Sequence, residues 1–193
     1  IVYAGSDDCI VRDIINEMRS EGYCIDAHWV GSMSGLNMVM SGLADIAGIH
    51  LIDPMSGEYN ISYIDSLGAW DNTVLIRGYL RLLGIVHRPY LSIGDLTDIM
   101  GLRMVNRNPG SGTRLAIELL LSGIARHTGY NVEELRRAIK GYNDVVKTHV
   151  EVTEKVARGL ADYGVAIAGQ ALAMGLSVKP IALEEFDIII SKT

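Results

Sequence analysis

Nine residues from Asn106 to Arg114 (NRNPGSGTR) gather an unusual density of anion-seeking groups. Arg107 and Arg114 carry fixed positive charge. Ser111 and Thr113 add hydroxyl donors, and Gly110 and Gly112 make the turn; for Gly-Ser-Gly-Thr alone, a plain capped turn is an equal reading. Leu102 to Val105 before them is a short apolar run of strand type. Leu115 to Ile124 after them has helical apolar spacing, and Thr128-Gly129 reads as its stop. Ser111 then falls at the helix N-cap, and the N–H groups of Gly112, Thr113 and Arg114 have no partner within the helix. Such an end carries partial positive charge and attracts anions. The chemistry on offer is the holding of a small oxyanion. No Lys follows Gly112, so this is not a phosphate loop of the nucleotide-hydrolysing type.

Other groups could join it. Ser6 lies in Gly5-Ser6-Asp7-Asp8, before a predicted helix from Cys9 to Arg19, and is read as a ligand donor or a helix cap. Ser32 and Ser34 lie in a second Gly/Ser turn, Gly31 to Gly35, and either has a binding or a structural role. His50 ends an apolar strand, where open parallel sheets place their ligand crevice. It is equally readable as a core histidine. Arg107 is the candidate for a bidentate clamp, and Arg114 the weaker one, able to act only as a salt bridge. Thr148 and His149 begin a helix with Thr148 as its cap. Tyr163 opens a late strand. Tyr59-Asn60 lies in a polar loop spanning Ile52 to Tyr63.

These residues need a scaffold. The chain has 193 residues, 49% of them hydrophobic, enough for one sizeable core or two small lobes. Its first third reads strand (Ile1–Ala4), helix (Cys9–Arg19), strand (Ile25–Val30), short helix (Leu36–Met40), strand (Ala44–Leu51). Such alternation with short connections implies a parallel sheet flanked by helices. Thr73 to Tyr79 reads as a strand leaving the first lobe and Val86 to Tyr90 as loop. A short helix starts near Ser92 to Leu96. A helix from Asn131 to Ala138 carries Glu133, Glu134, Arg136 and Arg137 as a solvated face. Two closing apolar runs cover Val178–Leu183 and Phe186–Ile190. Met33, Met38 and Met40 read as core filler, and Cys9 and Cys24 as core thiols, with no zinc spacing or disulfide framework.

The formal charge of −6, with no basic run, argues against nucleic-acid binding. No apolar run is long enough to span a bilayer. Starting at Ile1 without a signal-peptide pattern, the chain reads as an excised or processed domain. An internal echo points to two related halves. Ser41-Gly42-Leu43-Ala44-Asp45 resembles Arg158-Gly159-Leu160-Ala161-Asp162, each with Gly after a helix and Leu expected to make the hydrophobic contact of the cap.

With these motifs in hand, the chain resembles the type 2 periplasmic-binding-protein fold. More narrowly, it resembles cytoplasmic domains of that fold related to molybdate-binding proteins, found beside MoeA-like molybdopterin-biosynthesis domains or helix-turn-helix domains. The motifs are Gly31-Ser32 to Gly35-Leu36, Ala47 to Leu51 with Asp53-Pro54, Gly57 to Asn60, Asn106-Arg107 with Gly110 to Arg114, and Thr148-His149 to Asp162. The resemblance implies an α/β, two-lobed fold, each lobe a mostly parallel sheet flanked by helices. Lobe 1 would be 1–77 and 178–193 and lobe 2 would be 78–177, with a ligand cleft between them and hinge closure on binding. It implies a non-enzymatic domain binding a small anion, molybdate or tungstate first, with no further cofactor. The expected ligand set is Ser6, Ser32, Ser34, His50, Arg107, Ser111, Gly112, Thr113, Arg114, Thr148 and Tyr163. The two arginines depart from the neutral donor sets common in molybdate and sulfate binders, which keeps a molybdopterin-related or other organic anion open. An enzyme using Ser111 or Ser32 with His50 or His149 is the rival, though no nucleophile elbow occurs.

Overall fold

The computed structural model describes residues 1–192. The chain divides into two compact units: Ile1–Leu80 with Gly110–Gly112 and Glu184–Thr193, and Arg81–Pro109 with Thr113–Leu183.

The first unit is built on β1 (Val2–Gly5), α1 (Cys9–Ser20), β2 (Asp26–Trp29), α2 (Ser32–Met40) and β3 (Ile46–Ile49). Strand β1 pairs in parallel with both β2 and β3. Alternation along β1 fixes two cores. Ala4 joins Leu36 and Val39 of α2 and Ile64 of α3 (Ile61–Ser66), whereas Tyr3 joins Val11 and Ile15 of α1. The helices α1 and α2 thus cover opposite faces, and the order of strands reverses at β1. The C-terminal end of such a central strand is where open α/β sheets hold ligands.

The second unit repeats the plan. Strand β5 (Met104–Arg107) pairs in parallel with β6 (Val145–Val146) and β7 (Tyr163–Ile167). Met104 joins the core that holds Ile117 and Leu121 of α4 (Gly112–Thr128) and Leu135 of α5 (Val132–Ala138). Its neighbour Val105 joins the core of Val152 and Val156 from α6 (His149–Ala157) and Ala171 from α7 (Ala168–Ala173). The reversal point here is β5, which ends at Arg107.

The internal echo extends to individual hydrogen bonds. Gly42 and Gly159 have φ of 71° and 74°. In each cap the glycine N–H donates to a carbonyl three residues back (Val39, Val156) and the leucine N–H to one five back (Met38, Lys155). These are Schellman motifs. Asp45 Oδ2 then accepts from Val2 N at 2.6 Å, and Asp162 Oδ2 from Arg103 N at 2.8 Å, so each aspartate ties down the start of the central strand. Leu43 and Leu160 are exposed, and the hydrogen bonds close each helix.

Several expected boundaries move. The strand expected over Thr73–Tyr79 continues to His87 as β4 (Thr73–His87), taking in Val86 and His87 of the expected loop, because their backbone pairs with β7; the two closing runs belong to one strand, β8 (Ser177–Ser191). Both strands run through both units. In the first, a Cβ on Gly78 would lie 2.2 Å from the Phe186 carbonyl oxygen. In the second, a Cβ on Gly84 would lie 2.4 Å from Val178 Cγ1, so only glycine permits these approaches. Helix α2 starts at Ser32 rather than Leu36, because Gly31 supplies the φ of 84° that turns the chain into it. Cys9 and Cys24 are exposed rather than core thiols. Helix α1 turns Val11 and Ile15 inward, and Cys24 lies in the connection beyond it.

Candidate functional site

In the first unit two helix starts meet. Ser6 follows β1, and Ser32 is the first residue of α2; both are buried, and their Oγ atoms are 2.7 Å apart. Ser6 does not cap α1. Asp8 does, accepting from Ile10 N at 2.8 Å, because it stands directly before the first helical residue. Ser32 Oγ also accepts from His50 N at 3.1 Å. Two hydroxyls carry two protons, and their mutual bond uses one, which leaves one for a further acceptor. The His50 ring is buried, with Nδ1 3.3 Å from Glu184 Oε2 and its face stacked on Phe186. Within the same unit, a Cβ on Gly112 would lie 2.4 Å from the His50 carbonyl oxygen. Ser111, just before it, is buried, whereas Ser34 is exposed.

The segment after β3 that carries His50 is pinned by a residue whose part the sequence did not reveal. Asn60, fully buried, has φ 64° and ψ −43°, and Ile61 N donates to Tyr59 O across it at 2.7 Å. That is a γ-turn of the rare, strained kind. Its side chain holds it there: Oδ1 accepts from Leu51 N and Nδ2 donates to Asp187 Oδ2, each at 2.7 Å. Asp187 Oδ1 accepts from Gly78 N at 3.0 Å. An asparagine in a polar loop is a common turn residue, so burial was its only distinguishing mark, and sequence does not report that.

In the second unit two helix starts converge on a cation. Arg107 ends β5 and is 6% exposed. Its Nη1 donates to Thr113 Oγ1 of α4 at 3.4 Å and lies 3.1 Å from His149 Nδ1 of α6. Its Nη2 donates to Lys147 O at 2.9 Å. Thr148 caps α6 through a reciprocal pair with Glu151, Thr148 Oγ1 accepting from Glu151 N at 3.1 Å. Burial acts to raise the Glu151 carboxyl pKa, but hydrogen bonds from the Lys147 and Thr148 amides and the charge of Arg107 hold it below the ordinary range.

Arg114 belongs to a different network. It donates to Glu118 Oε1 at 2.7 Å, to Tyr142 Oη at 2.6 Å and to the Arg107 carbonyl at 3.1 Å. Arg136, expected on a solvated face, reaches Glu118 Oε2 at 2.7 Å. Tyr163 lies at the start of β7, paired with Met104, so it sits at the end of the sheet opposite Arg107. Its hydroxyl is buried, with no hydrogen-bond partner among the described residues, and burial pushes its pKa up.

Ser6 with Ser32, and Arg107 with Thr113 and His149, therefore occupy the same topological place in two copies of one supersecondary plan. A domain model described as PBP superfamily matches residues 15–193, and the chain belongs to that family of periplasmic-binding-protein-like domains. It is 28% identical over 170 residues to the uncharacterized protein YvgK of Bacillus subtilis (strain 168), covering 84% of this chain. It spans about half (51%) of that relative's length. A Clostridium perfringens structure assigned as a phosphate ABC transporter substrate-binding protein with bound phosphate is similar at a TM-score of 0.68 and 13% identity. That match covers 100% of this chain and 86% of the other. The regulatory domain of Synechocystis CcmR in complex with 2-PG gives 0.66 and 10%, covering 100% and 87%. At these identities the two structures share the fold. Among the described residues, no helix is long and apolar enough to cross a membrane.

Proposed function

We propose that the chain is a non-enzymatic binding domain for a small tetrahedral oxyanion. The observation that carries this reading is Arg107, buried at the end of the central strand where the starts of α4 and α6 converge on it. A buried cation beside two helix N-termini is an environment in which an anion replaces its water shell with fixed donors. The Ser6–Ser32 pair supplies a second donor set at the equivalent place in the other unit. Ser111, Gly112 and Thr113 contribute the helix start itself. Thr148 acts through the cap of α6. Ser34 stands two residues beyond Ser32, the His50 amide donates to Ser32 Oγ, and Arg114 supports the carbonyl of Arg107.

The Ser/His enzyme reading gains no support from the first unit. Ser32 Oγ accepts from the His50 backbone rather than facing its imidazole, and His50 Nδ1 faces a carboxylate. Molybdate or tungstate is the ligand favoured by the sequence resemblance. With it comes a cytoplasmic role in molybdenum or tungsten cofactor metabolism, beside a fused or neighbouring MoeA-like or helix-turn-helix domain. Phosphate is the second reading, favoured by the bound phosphate of the Clostridium perfringens structure.

Thermal unfolding against molybdate, tungstate, phosphate and sulfate separates these readings. A ligand at 100 times its Kd adds about 2.7 kcal/mol, a shift on the order of 5–10 °C for a chain of this size. A shift with one of the four names the ligand. No shift with any of them removes the simple oxyanion reading.

A further inference from the structure

The contact between Arg107 and His149 fixes more than proximity. A guanidinium has five N–H donors and no acceptor. The imidazole nitrogen 3.1 Å from Arg107 Nη1 must therefore accept, so His149 Nδ1 is unprotonated and the ring proton is on Nε2. The bond is buried on both sides, each residue being 6% exposed. His149 is also the first residue of α6, whose N-terminus is set by the Thr148–Glu151 capping box, so the acceptor has a fixed position. Two further contacts of the guanidinium are unequal. Lys147 O holds Nη2 at 2.9 Å, but Thr113 Oγ1 is 3.4 Å from Nη1, a weak bond. Of Thr113 and His149, His149 is the closer partner at Nη1.

We propose that His149 is the positioning residue of the anion site: as a neutral, Nε2-protonated imidazole it orients the Arg107 guanidinium. This rests on the oxyanion reading for its consequence, but the orientation itself is measurable without any anion. A positively charged or purely apolar side chain at 149 would leave Arg107 in place as a charge and lose its direction. Asparagine would keep it, because its Oδ1 stands close to where the Nδ1 of histidine stands.

The test has two arms on the whole chain. In the first, with no anion present, nitrogen-15 NMR reads the His149 ring and the rotation of the Arg107 guanidinium. The expected result is an unprotonated Nδ1 and slow rotation in the wild type and in His149→Asn, with fast rotation in His149→Leu. A protonated Nδ1, or rotation unchanged in His149→Leu, overturns the assignment whether or not any anion binds. In the second arm, titration with molybdate and with phosphate should show affinity weakened about 10-fold or more in His149→Leu. His149→Asn should stay within a few-fold of wild type. Equal loss in both variants, with folding intact, contradicts a positioning role. If the wild type binds neither anion, the oxyanion reading fails while the first arm still decides the Arg107–His149 pairing.

Discussion

The hydroxyls of Ser6, just after β1, and Ser32, the first residue of α2, lie 2.7 Å apart. The two are not equivalent. Ser32 also accepts from His50 N, whereas Ser6 has the single bond to Ser32 through its side chain. Ser32→Ala therefore leaves a buried backbone donor without its acceptor, at a cost of about 1–3 kcal/mol. Ser6→Ala should cost less, because it leaves only a hydroxyl that can rotate. Urea unfolding of the two variants checks the order, and Ser6→Ala being the more damaging would contradict this account.

Asn60 predicts a larger loss. Asn60→Ala removes an acceptor from Leu51 N and a donor from Asp187, and keeps a methyl group at a φ of 64°. The expected destabilisation is about 3 kcal/mol or more. Asn60→Gly should be milder by about 1 kcal/mol, since glycine tolerates that φ. Denaturant titration of the pair separates strain from lost hydrogen bonds.

Glu118 sets a pH dependence. Burial acts to raise its carboxyl pKa, but hydrogen bonds from Tyr142, Arg136 and Arg114 outweigh that and hold it below its ordinary value. A depressed carboxyl binds protons less readily folded than unfolded. Its contribution to stability is fully present above the ordinary glutamate value of about 4.3 and is lost as pH falls through the folded value. Glu118→Gln should flatten the acid limb of a stability–pH curve measured between neutrality and pH 3. An unchanged acid limb would show that the network contributes nothing there.

Tyr163→Phe should be neutral or stabilising, by up to about 1 kcal/mol. It removes a buried hydroxyl that has no hydrogen-bond partner among the described residues. It should also leave anion affinity unchanged, since Tyr163 stands at the far end of β7 from Arg107. Calorimetric unfolding with and without anion reads both.

Much of the architecture could be read before any coordinates, and the reason is periodicity. The alternation of short apolar runs with helical stretches marks β1 to β3 and their helices, and Gly-Leu-Ala-Asp marks the same turn in both halves because it needs a positive φ followed by a strand-tying carboxylate. The long strands β4 and β8 were harder. Arg77 and Arg81 interrupt the pattern of β4, and Glu184-Glu185 that of β8, so the side-chain pattern marks less than the full length of each. In the candidate site, residue types single out Arg107 and Ser32, whereas His149 lies outside the expected ligand set and is named only beside its cap Thr148 and in the enzyme reading. Their partners were hidden, because contacts such as Asn60 with Asp187 join positions 127 apart in the chain. Cys9 failed for a simpler reason: an apolar residue at a helix start has no periodic neighbour to say which way it faces.

The most direct test of the central claim is isothermal titration of molybdate and of phosphate into the wild-type chain, Arg107→Lys and Arg107→Ala, each verified as folded. Lysine keeps the charge but cannot reach Thr113, His149 and the Lys147 carbonyl together. The account predicts that the wild type binds one of the two anions and that both variants bind it at least about 10-fold more weakly. A wild type that binds neither, or an Arg107→Ala that binds as tightly as the wild type, would contradict it.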